Sequence, residues 1–158
     1  MRSLVLMMLV LPVTAAAQAS FVLPVTPACI SSPFGPRAAP GPRGSAMHGG
    51  IDIPAPAGAW VVAAAAGDVL SIRRFGASGL EVALRHADGR VTRYAHLGTV
   101  APTLAAGRRR VAQGERLGRI GRTGVTYGTH LHLELWEGGR RVDPAPVFGI
   151  APCRIQPP

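Results

Sequence analysis

Short runs in which apolar and polar residues alternate, separated by glycine and proline, dominate the chain beyond its first twenty residues. Alternation with a period of two is typical of strands that bury one face, and no segment in this part of the chain keeps a helical period. We therefore predict a single all-β domain without internal repeats. The predicted strands cover residues 60–64, 68–73, 80–85, 91–95, 116–120 and 130–136.

Turn signals connect several of these strands. Asp88-Gly89 lies between two alternating runs and predicts a tight hairpin, and Gly138-Gly139 predicts a second turn after the last strand. The alanine run 63–66 is expected to end a strand and enter a tight turn. Residues 27–50 are rich in proline, glycine and arginine, which predicts a surface loop that forms a wall of any site beside it.

The first nineteen residues have the organisation of a secretory signal. Arg2 supplies one positive charge, residues 4–13 are mostly apolar, and the segment ends in an Ala-x-Ala pattern. The apolar run is too short to cross a membrane. We predict residues 1–19 as a signal peptide, cleaved after Ala17 or Ala19, and residues 20–158 as an exported domain without stable membrane insertion after processing. The alternative is an uncleaved N-terminal anchor.

Two cysteines flank the predicted domain. Cys29 follows the predicted signal and Cys153 lies near the C-terminus. In an oxidising compartment, two cysteines at opposite ends of one domain predict a single disulfide that closes a long loop. Neither residue belongs to a CxxC pair, so we expect a structural bond and not a metal-ligand pair.

The charge balance favours an anionic partner. The formal net charge is +9, which becomes +8 once Arg2 is removed, and all seventeen basic residues are arginine. A nucleic acid, a membrane surface or an acidic cell-wall polymer would satisfy such a balance. Export argues against nucleic acid. The one longer basic run, residues 108–110, is expected to be a solvated loop.

A histidine-rich strand and a glycine-rich segment supply the candidate chemistry. In an extended strand over residues 130–135, His130 and His132 leave by one face and three leucines by the other. Upstream, His48 and Asp52 lie in a stretch whose glycines and proline exclude helix. Catalytic zinc takes three protein ligands of these types and leaves the fourth position to water. The residues predict a histidine, an aspartate and a histidine on one zinc ion, and the alternative is a set of scattered surface histidines.

Five short motifs follow one another along the chain. They are SSPFGPR at 31–37, HGGIDI at 48–53, YAHL at 94–97, GRTG at 121–124 and THLHLE at 129–134. Together they resemble the ordered signature of the lysostaphin-type, or LytM-like, zinc endopeptidases of peptidoglycan. The resemblance covers residues 29–146, and an Asp-Pro pair at 143–144 also resembles the family's closing Asp-Pro.

This resemblance implies roles for five residues. His48, Asp52 and His132 are expected to bind one zinc ion per chain. His96 and His130 are expected to act as catalytic histidines beside the metal. The resemblance also implies a groove for the metal site, built on a central antiparallel sheet.

The implied activity is hydrolysis of amide bonds in the peptides that cross-link peptidoglycan. A small single domain without a wall-anchoring region favours the periplasm over an extracellular location. Two alternatives are a non-catalytic wall-binding or amidase-activating module of the same fold and a metal-buffering protein without a substrate. Tyr127 and Thr129 depart from the family's usual loop, which concerns the substrate pocket and not the metal ligands.

The local sequence also predicts the positions of four further residues. Glu134 shares the histidine face of its strand and is expected to orient a neighbouring side chain. His86, beside the Asp-Gly turn, is expected to be exposed. Trp60 and Tyr94 are expected either to line the groove or to pack in the core.

Overall fold

The structure is a computed structural model that describes residues 19–154. Most of the predicted signal peptide, residues 1–18, therefore lies outside the described residues. Eleven strands, two short α-helices and one 3₁₀ turn occur in the described range. Their bounds are β1 (Gly35–Pro36), β2 (Met47–His48), β3 (Ile51–Pro54), β4 (Trp60–Val62), β5 (Gly67–Phe75), a 3₁₀ turn (Gly76–Ser78), β6 (Gly79–His86), β7 (Val91–Val100), α1 (Pro102–Ala105), β8 (Arg110–Val111), β9 (Arg116–Ile120), β10 (His130–Glu137), β11 (Arg140–Val142) and α2 (Ala145–Phe148).

Nine of the strands in residues 19–154 form one antiparallel sheet. Its main path runs β11-β10-β7-β6-β5-β8. Strand β3 pairs with the first half of β10, while β9 pairs with the end of β7 and with β4. Strands β1 and β2 form a separate two-stranded sheet. This architecture confirms the prediction of an all-β domain built on a central antiparallel sheet.

The hydrophobic alternation predicts the strands well, although β5, β6, β7 and β10 are longer than predicted and β4 is shorter. Strand β9 has the predicted bounds, and β10 is one residue longer than predicted. Strands β5 and β7 continue beyond the predicted segments, to Phe75 and Val100. Both predicted hairpins are confirmed, because β6 pairs with β7 across the Asp-Gly turn and β10 pairs with β11 across Gly138-Gly139.

The core lies against one face of the main sheet. Three leucines of β10, at positions 131, 133 and 135, are fully buried, as the alternation predicts. Tyr94 is also fully buried, and its hydroxyl accepts a hydrogen bond from the Ala64 N–H at 2.9 Å. Tyr94 is therefore a core residue. Trp60 lies outside the groove, with the guanidinium groups of Arg116 and Arg119 over its ring.

The prediction that His86 is exposed is wrong. His86 ends β6 on the inward side of the strand and is only 3% exposed. Its Nδ1 donates to the Ala66 carbonyl oxygen at 2.9 Å, and its Nε2 lies 2.8 Å from the Thr92 hydroxyl. Both ring nitrogens are thus satisfied, which permits burial of a polar ring. Burial lowers the pKa of His86, so the ring is held neutral.

The predicted disulfide between Cys29 and Cys153 is confirmed. Backbone contacts reinforce it, because Ile30 forms a parallel bridge with Pro152 and the Cys153 N–H donates to the Ile30 carbonyl oxygen at 2.9 Å. The bond therefore joins the segment that leads into the histidine-containing loop to the C-terminal end of the domain.

Replacing both cysteines, Cys29→Ser with Cys153→Ser, is expected to lower the free energy of unfolding by about 2–5 kcal/mol. The reason is that the bond spans 124 residues and removes much of the conformational freedom of the unfolded chain. Urea denaturation of the oxidised wild type and of the double variant measures the difference. A change below about 0.5 kcal/mol, the size of an ordinary surface substitution, would contradict this role.

The basic run at 108–110 is solvated, as expected. Arg108 pairs with Glu115 at 3.0 Å, and Arg110, whose side chain is 84% exposed, pairs with Asp68 at 3.0 Å. Among residues 19–154, no helix has the length and apolar character required to cross a membrane.

Candidate metal centre

Three side chains from separate parts of the sequence converge at the edge of the main sheet. The His48 Nε2 lies 3.1 Å from the Asp52 Oδ1 and 3.1 Å from the His132 Nδ1. The His132 Nδ1 lies 2.9 Å from the same Asp52 oxygen. In the described part of the chain these three residues form the one group whose ligand atoms all lie within 4.8 Å of one another. The structure thus brings together the three residues predicted to bind zinc.

Strand pairing explains this convergence. Asp52 on β3 is the register partner of His132 on β10, so their side chains lie side by side on one face. His48 ends β2 and is followed by two glycines. A Cβ atom at Gly50 would lie 2.3 Å from the Leu133 carbonyl oxygen, so only glycine allows the chain to approach β10 this closely. The HGG sequence therefore positions His48 over the strand pair.

Hydrogen bonds fix which nitrogen of His48 faces the cluster. Its Nδ1 lies 2.7 Å from the Pro33 carbonyl oxygen, which only accepts hydrogen bonds, so Nδ1 carries the proton. The lone pair on Nε2 is then directed at Asp52 and His132. A histidine whose other nitrogen donates to a carbonyl is the usual form of a metal-binding imidazole.

His132 faces the cluster with Nδ1, whereas His48 does so with Nε2. The outer nitrogen of His132 is held by a carboxylate, whereas that of His48 is held by a backbone carbonyl. The His132 Nδ1 faces Asp52, while its Nε2 lies 3.5 Å from the Glu134 Oε1. Glu134 is itself held by the Trp136 Nε1, which donates to Oε2 at 2.7 Å, and by the Arg141 Nε at 3.1 Å from Oε1. The structure therefore places Glu134 where it orients His132, as its strand parity predicts.

Asp52 remains ionised in this surrounding. Burial alone would raise the pKa of Asp52, but the hydrogen bond from the His132 Nδ1 and the charge of that ring hold the pKa of Asp52 well below its usual range. The second oxygen, Oδ2, lies 3.4 Å from the Arg37 Nη1. Arg37 also contacts the Ser32 hydroxyl. The arginine of the FGPR motif thus orients the central carboxylate, a role that the sequence alone did not reveal.

His130 lies beside the three converging residues. Its Nε2 is 3.5 Å from the Asp52 Oδ1, and its Nδ1 donates to the Gly128 carbonyl oxygen at 3.1 Å. Burial lowers the pKa of His130, which favours the neutral ring. With the proton on Nδ1, the lone pair of Nε2 faces the cluster.

His96 reaches the same place through an unusual backbone conformation. Its neighbour Ala95 is the register partner of His132, so strict alternation would send His96 to the opposite face. His96 instead has a φ of 61°, in the left-handed region that residues other than glycine rarely adopt. Its ring centroid lies 4.8 Å from that of His130.

The Nδ1 of His96 donates to the Thr123 carbonyl oxygen at 2.9 Å, which places a lone pair on Nε2. Burial lowers the pKa of His96 to about 4. The Thr123 side chain also anchors this region, because its hydroxyl donates to the Leu97 carbonyl oxygen at 2.7 Å and accepts from the Leu80 N–H at 2.8 Å. The GRTG motif therefore serves to hold His96.

A groove of about 770 Å³ is lined by the three converging residues and by the two further histidines: His48, Asp52, His132, His96 and His130. One wall comes from the predicted loop 27–50 and the other from residues 125–129. Tyr127 connects the two walls, since its hydroxyl accepts a hydrogen bond from the Arg43 N–H at 3.1 Å and its ring lies against Gly41. The expectation that the long loop forms a wall of the site is confirmed.

A family model described as peptidase family M23 matches residues 46–144, the segment that contains every side chain of this cluster. The chain belongs to peptidase family M23. The lysostaphin-type resemblance of the five motifs is thereby confirmed.

Two curated relatives and one solved structure are similar to this chain. The chain is 41% identical over 118 residues to DD-carboxypeptidase/endopeptidase Mpg of Neisseria meningitidis serogroup B, covering 75% of this chain and 26% of that protein. It is 36% identical over 115 residues to peptidoglycan DD-endopeptidase ShyA of Vibrio cholerae, covering 72% of this chain and 26% of that protein. The crystal structure of a zinc containing peptidase from Vibrio cholerae superposes with a TM-score of 0.66 at 29% identity. The superposition covers 78% of this chain and 38% of that one. The chain spans about a quarter of the length of these two curated relatives.

The donor set of this M23 chain fits zinc. Two imidazole nitrogens and one carboxylate oxygen meet within 3.1 Å of one another, and these are the ligand types that a catalytic zinc ion takes. The hydrogen bonds from the opposite ring nitrogens supply the supporting interactions that such ligands require. The prediction of zinc as the cofactor agrees with the similar zinc containing peptidase from Vibrio cholerae and with the grouping of His48, Asp52 and His132.

Proposed function

We propose that this chain is a zinc endopeptidase that hydrolyses amide bonds in the peptide cross-links of peptidoglycan. The observation that carries the proposal is the convergence of His48, Asp52 and His132 in a groove that also holds two further histidines. The M23 relative ShyA is named for the same activity on the same polymer. The site retains all predicted ligands, which favours an enzyme over a non-catalytic wall-binding module.

In this proposal His48, Asp52 and His132 hold the zinc ion. When bound, zinc supplies Lewis-acid activation of a water molecule and of the amide carbonyl. His130 and His96 each direct the lone pair of Nε2 into the groove. Either nitrogen is therefore arranged to accept a proton from the attacking water and to return it to the leaving amine. The protonated ring would also donate a hydrogen bond to the developing oxyanion.

We also propose that residues 1–19 direct export and that residues 20–158 are the working domain in the periplasm. The Cys29–Cys153 disulfide supports an oxidising compartment. Peptidoglycan lies outside the cytoplasm, and the positive charge of the chain suits an acidic wall polymer. One zinc ion per chain follows from the single group of ligands in the described residues.

Digestion of purified sacculi tests the proposed activity. Residues 20–158, purified with one equivalent of zinc, are expected to convert cross-linked muropeptide dimers into monomers, separated by chromatography and identified by mass. A chelator such as 1,10-phenanthroline should stop the conversion, and added zinc should restore it. Intact cross-links in a folded, zinc-loaded sample would refute the proposal and leave the wall-binding alternative.

A further inference from the structure

Arg141 lies at the side of the groove, on the edge strand β11. Its guanidinium carbon is 4.9 Å from the centre of the Trp136 ring, so the side chain runs back over β10 toward the metal centre. Its aliphatic part passes Gly49, where a Cβ atom would come within 2.8 Å of the Arg141 Cδ. Stacking on one side and close packing on the other fix the guanidinium in one position.

The Nε edge of this guanidinium contacts a carboxylate, and the edge with the two terminal nitrogens faces solvent. The Nε lies 3.1 Å from the Glu134 Oε1, and the side chain remains 49% exposed to solvent. Among residues 19–154, Glu134 is the only acidic partner of Arg141. Glu134 is also engaged by Trp136 and His132, so its charge is shared. The terminal nitrogens of Arg141 are thus free for a ligand in the groove.

The charge around the groove favours an anion. Asp52 and Glu134 are the only acidic residues among those that line it, and both are buried against histidines and arginines. Arg43, on the opposite wall, has no ion-pair partner within the described range. A cleft with two open guanidinium groups and no open carboxylate attracts negatively charged ligands.

We propose that Arg141 is a specificity-determining residue that binds a free carboxylate of the substrate peptide. This inference rests on the proposed function, because it names the substrate class of the same groove: peptides that carry an unmodified carboxylate near the cleaved amide. A guanidinium matches a carboxylate with two parallel hydrogen bonds. Because Trp136, Gly49 and Glu134 already fix the side chain, little conformational freedom is lost when the ligand binds.

Peptide binding tests this assignment separately from cleavage. Three cross-linked tetrapeptide dimers are compared: one with all carboxylates free, one with its side-chain carboxylate amidated and one with its C-terminal carboxylate amidated. Calorimetry on zinc-loaded residues 20–158 carrying His130→Ala gives the Kd of each without turnover. We expect the free form to bind about 10- to 100-fold more tightly than one of the two amides, the range for a hydrogen bond to a charged group. The weaker amide identifies which carboxylate is bound.

The variant Arg141→Gln in the same background is expected to reduce this ratio to about one, while Arg141→Lys retains part of it because a single charge remains. Arg140→Gln, at the exposed neighbouring position outside the groove, serves as the matched control and should keep the full ratio. Any loosening of Glu134 or loss of zinc changes all three Kd values of a variant together. The ratio therefore reports the carboxylate contact and not general damage to the site.

Equal Kd values for the three peptides on the parent protein would overturn the inference, and so would a ratio that survives Arg141→Gln. Cleavage of the same peptides by protein with His130 intact tests the proposed function instead. Tight, Arg141-dependent binding without cleavage would support the carboxylate site and refute the endopeptidase. Cleavage without a carboxylate preference would support the endopeptidase and refute the role of Arg141.

Discussion

His132→Ala is expected to abolish zinc binding and to lower the cleavage rate of cross-linked muropeptides by more than about 10⁴-fold, a larger loss than removal of one acid-base group, because the Lewis acid is lost with its ligand. His132 is both a predicted ligand and the register partner of Asp52. Its loss removes one of three ligands and leaves the Asp52 carboxylate without its closest ring nitrogen, at 2.9 Å. Rates on dimeric muropeptides and zinc content of the same samples measure the effect.

Glu137→Gln, at the exposed end of the same strand, is a suitable control for this variant and should stay within about twofold of the wild type, as expected for a surface substitution. Circular dichroism should show that both variants keep the β fold. A His132→Ala protein that retains stoichiometric zinc, or a tenth of the wild-type rate, would remove His132 from the ligand set.

His130→Ala is expected to keep its zinc and to lose about 10²- to 10⁴-fold in kcat, with a smaller effect on KM. The reason is that His130 Nε2 lies beside the cluster, 3.5 Å from Asp52, while its Nδ1 is fixed by a backbone carbonyl. Such a ring is placed to move a proton without holding the metal. His96→Ala should behave similarly, because its Nε2 is directed into the same space.

The double variant His96→Ala with His130→Ala tests whether the two rings act together in one proton transfer or in separate steps. If the rings act as one unit in proton transfer, the double variant loses little more activity than either single variant. If they act in separate steps, the losses multiply. Zinc content is the decisive control, since a His130→Ala protein that no longer binds zinc would make His130 a ligand and contradict the assignment.

Local pattern is sufficient to predict most of the sheet. The six predicted strands all exist, and the HLHLEL run folds as β10 with its leucines buried. Period-two alternation encodes which face a strand buries, and the Asp-Gly turn encodes the pairing of its neighbours. The same logic correctly places Glu134 on the histidine face. The signal peptide and the domain limits remain predictions.

Long-range pairing and backbone irregularity account for what the sequence did not reveal. His86 can be buried because the Ala66 carbonyl, twenty residues upstream, and the Thr92 hydroxyl, across the hairpin, satisfy both ring nitrogens. The position of His96 depends on a left-handed backbone that breaks alternation, so strand parity alone would place it on the wrong face. Arg141 reaches the groove only because β11 pairs with β10 and Gly49 leaves room for its side chain.

The central claim is that His48, Asp52 and His132 hold one zinc ion, and anomalous diffraction tests it most directly. Crystals of residues 20–158 grown with one equivalent of zinc would be measured above and below the zinc absorption edge. We predict a single strong difference peak bounded by the His48 Nε2, the Asp52 Oδ1 and the His132 Nδ1, at about 2.0–2.2 Å from each. A peak coordinated by His96 or His130 in place of His132, or no peak in this groove, would contradict the account.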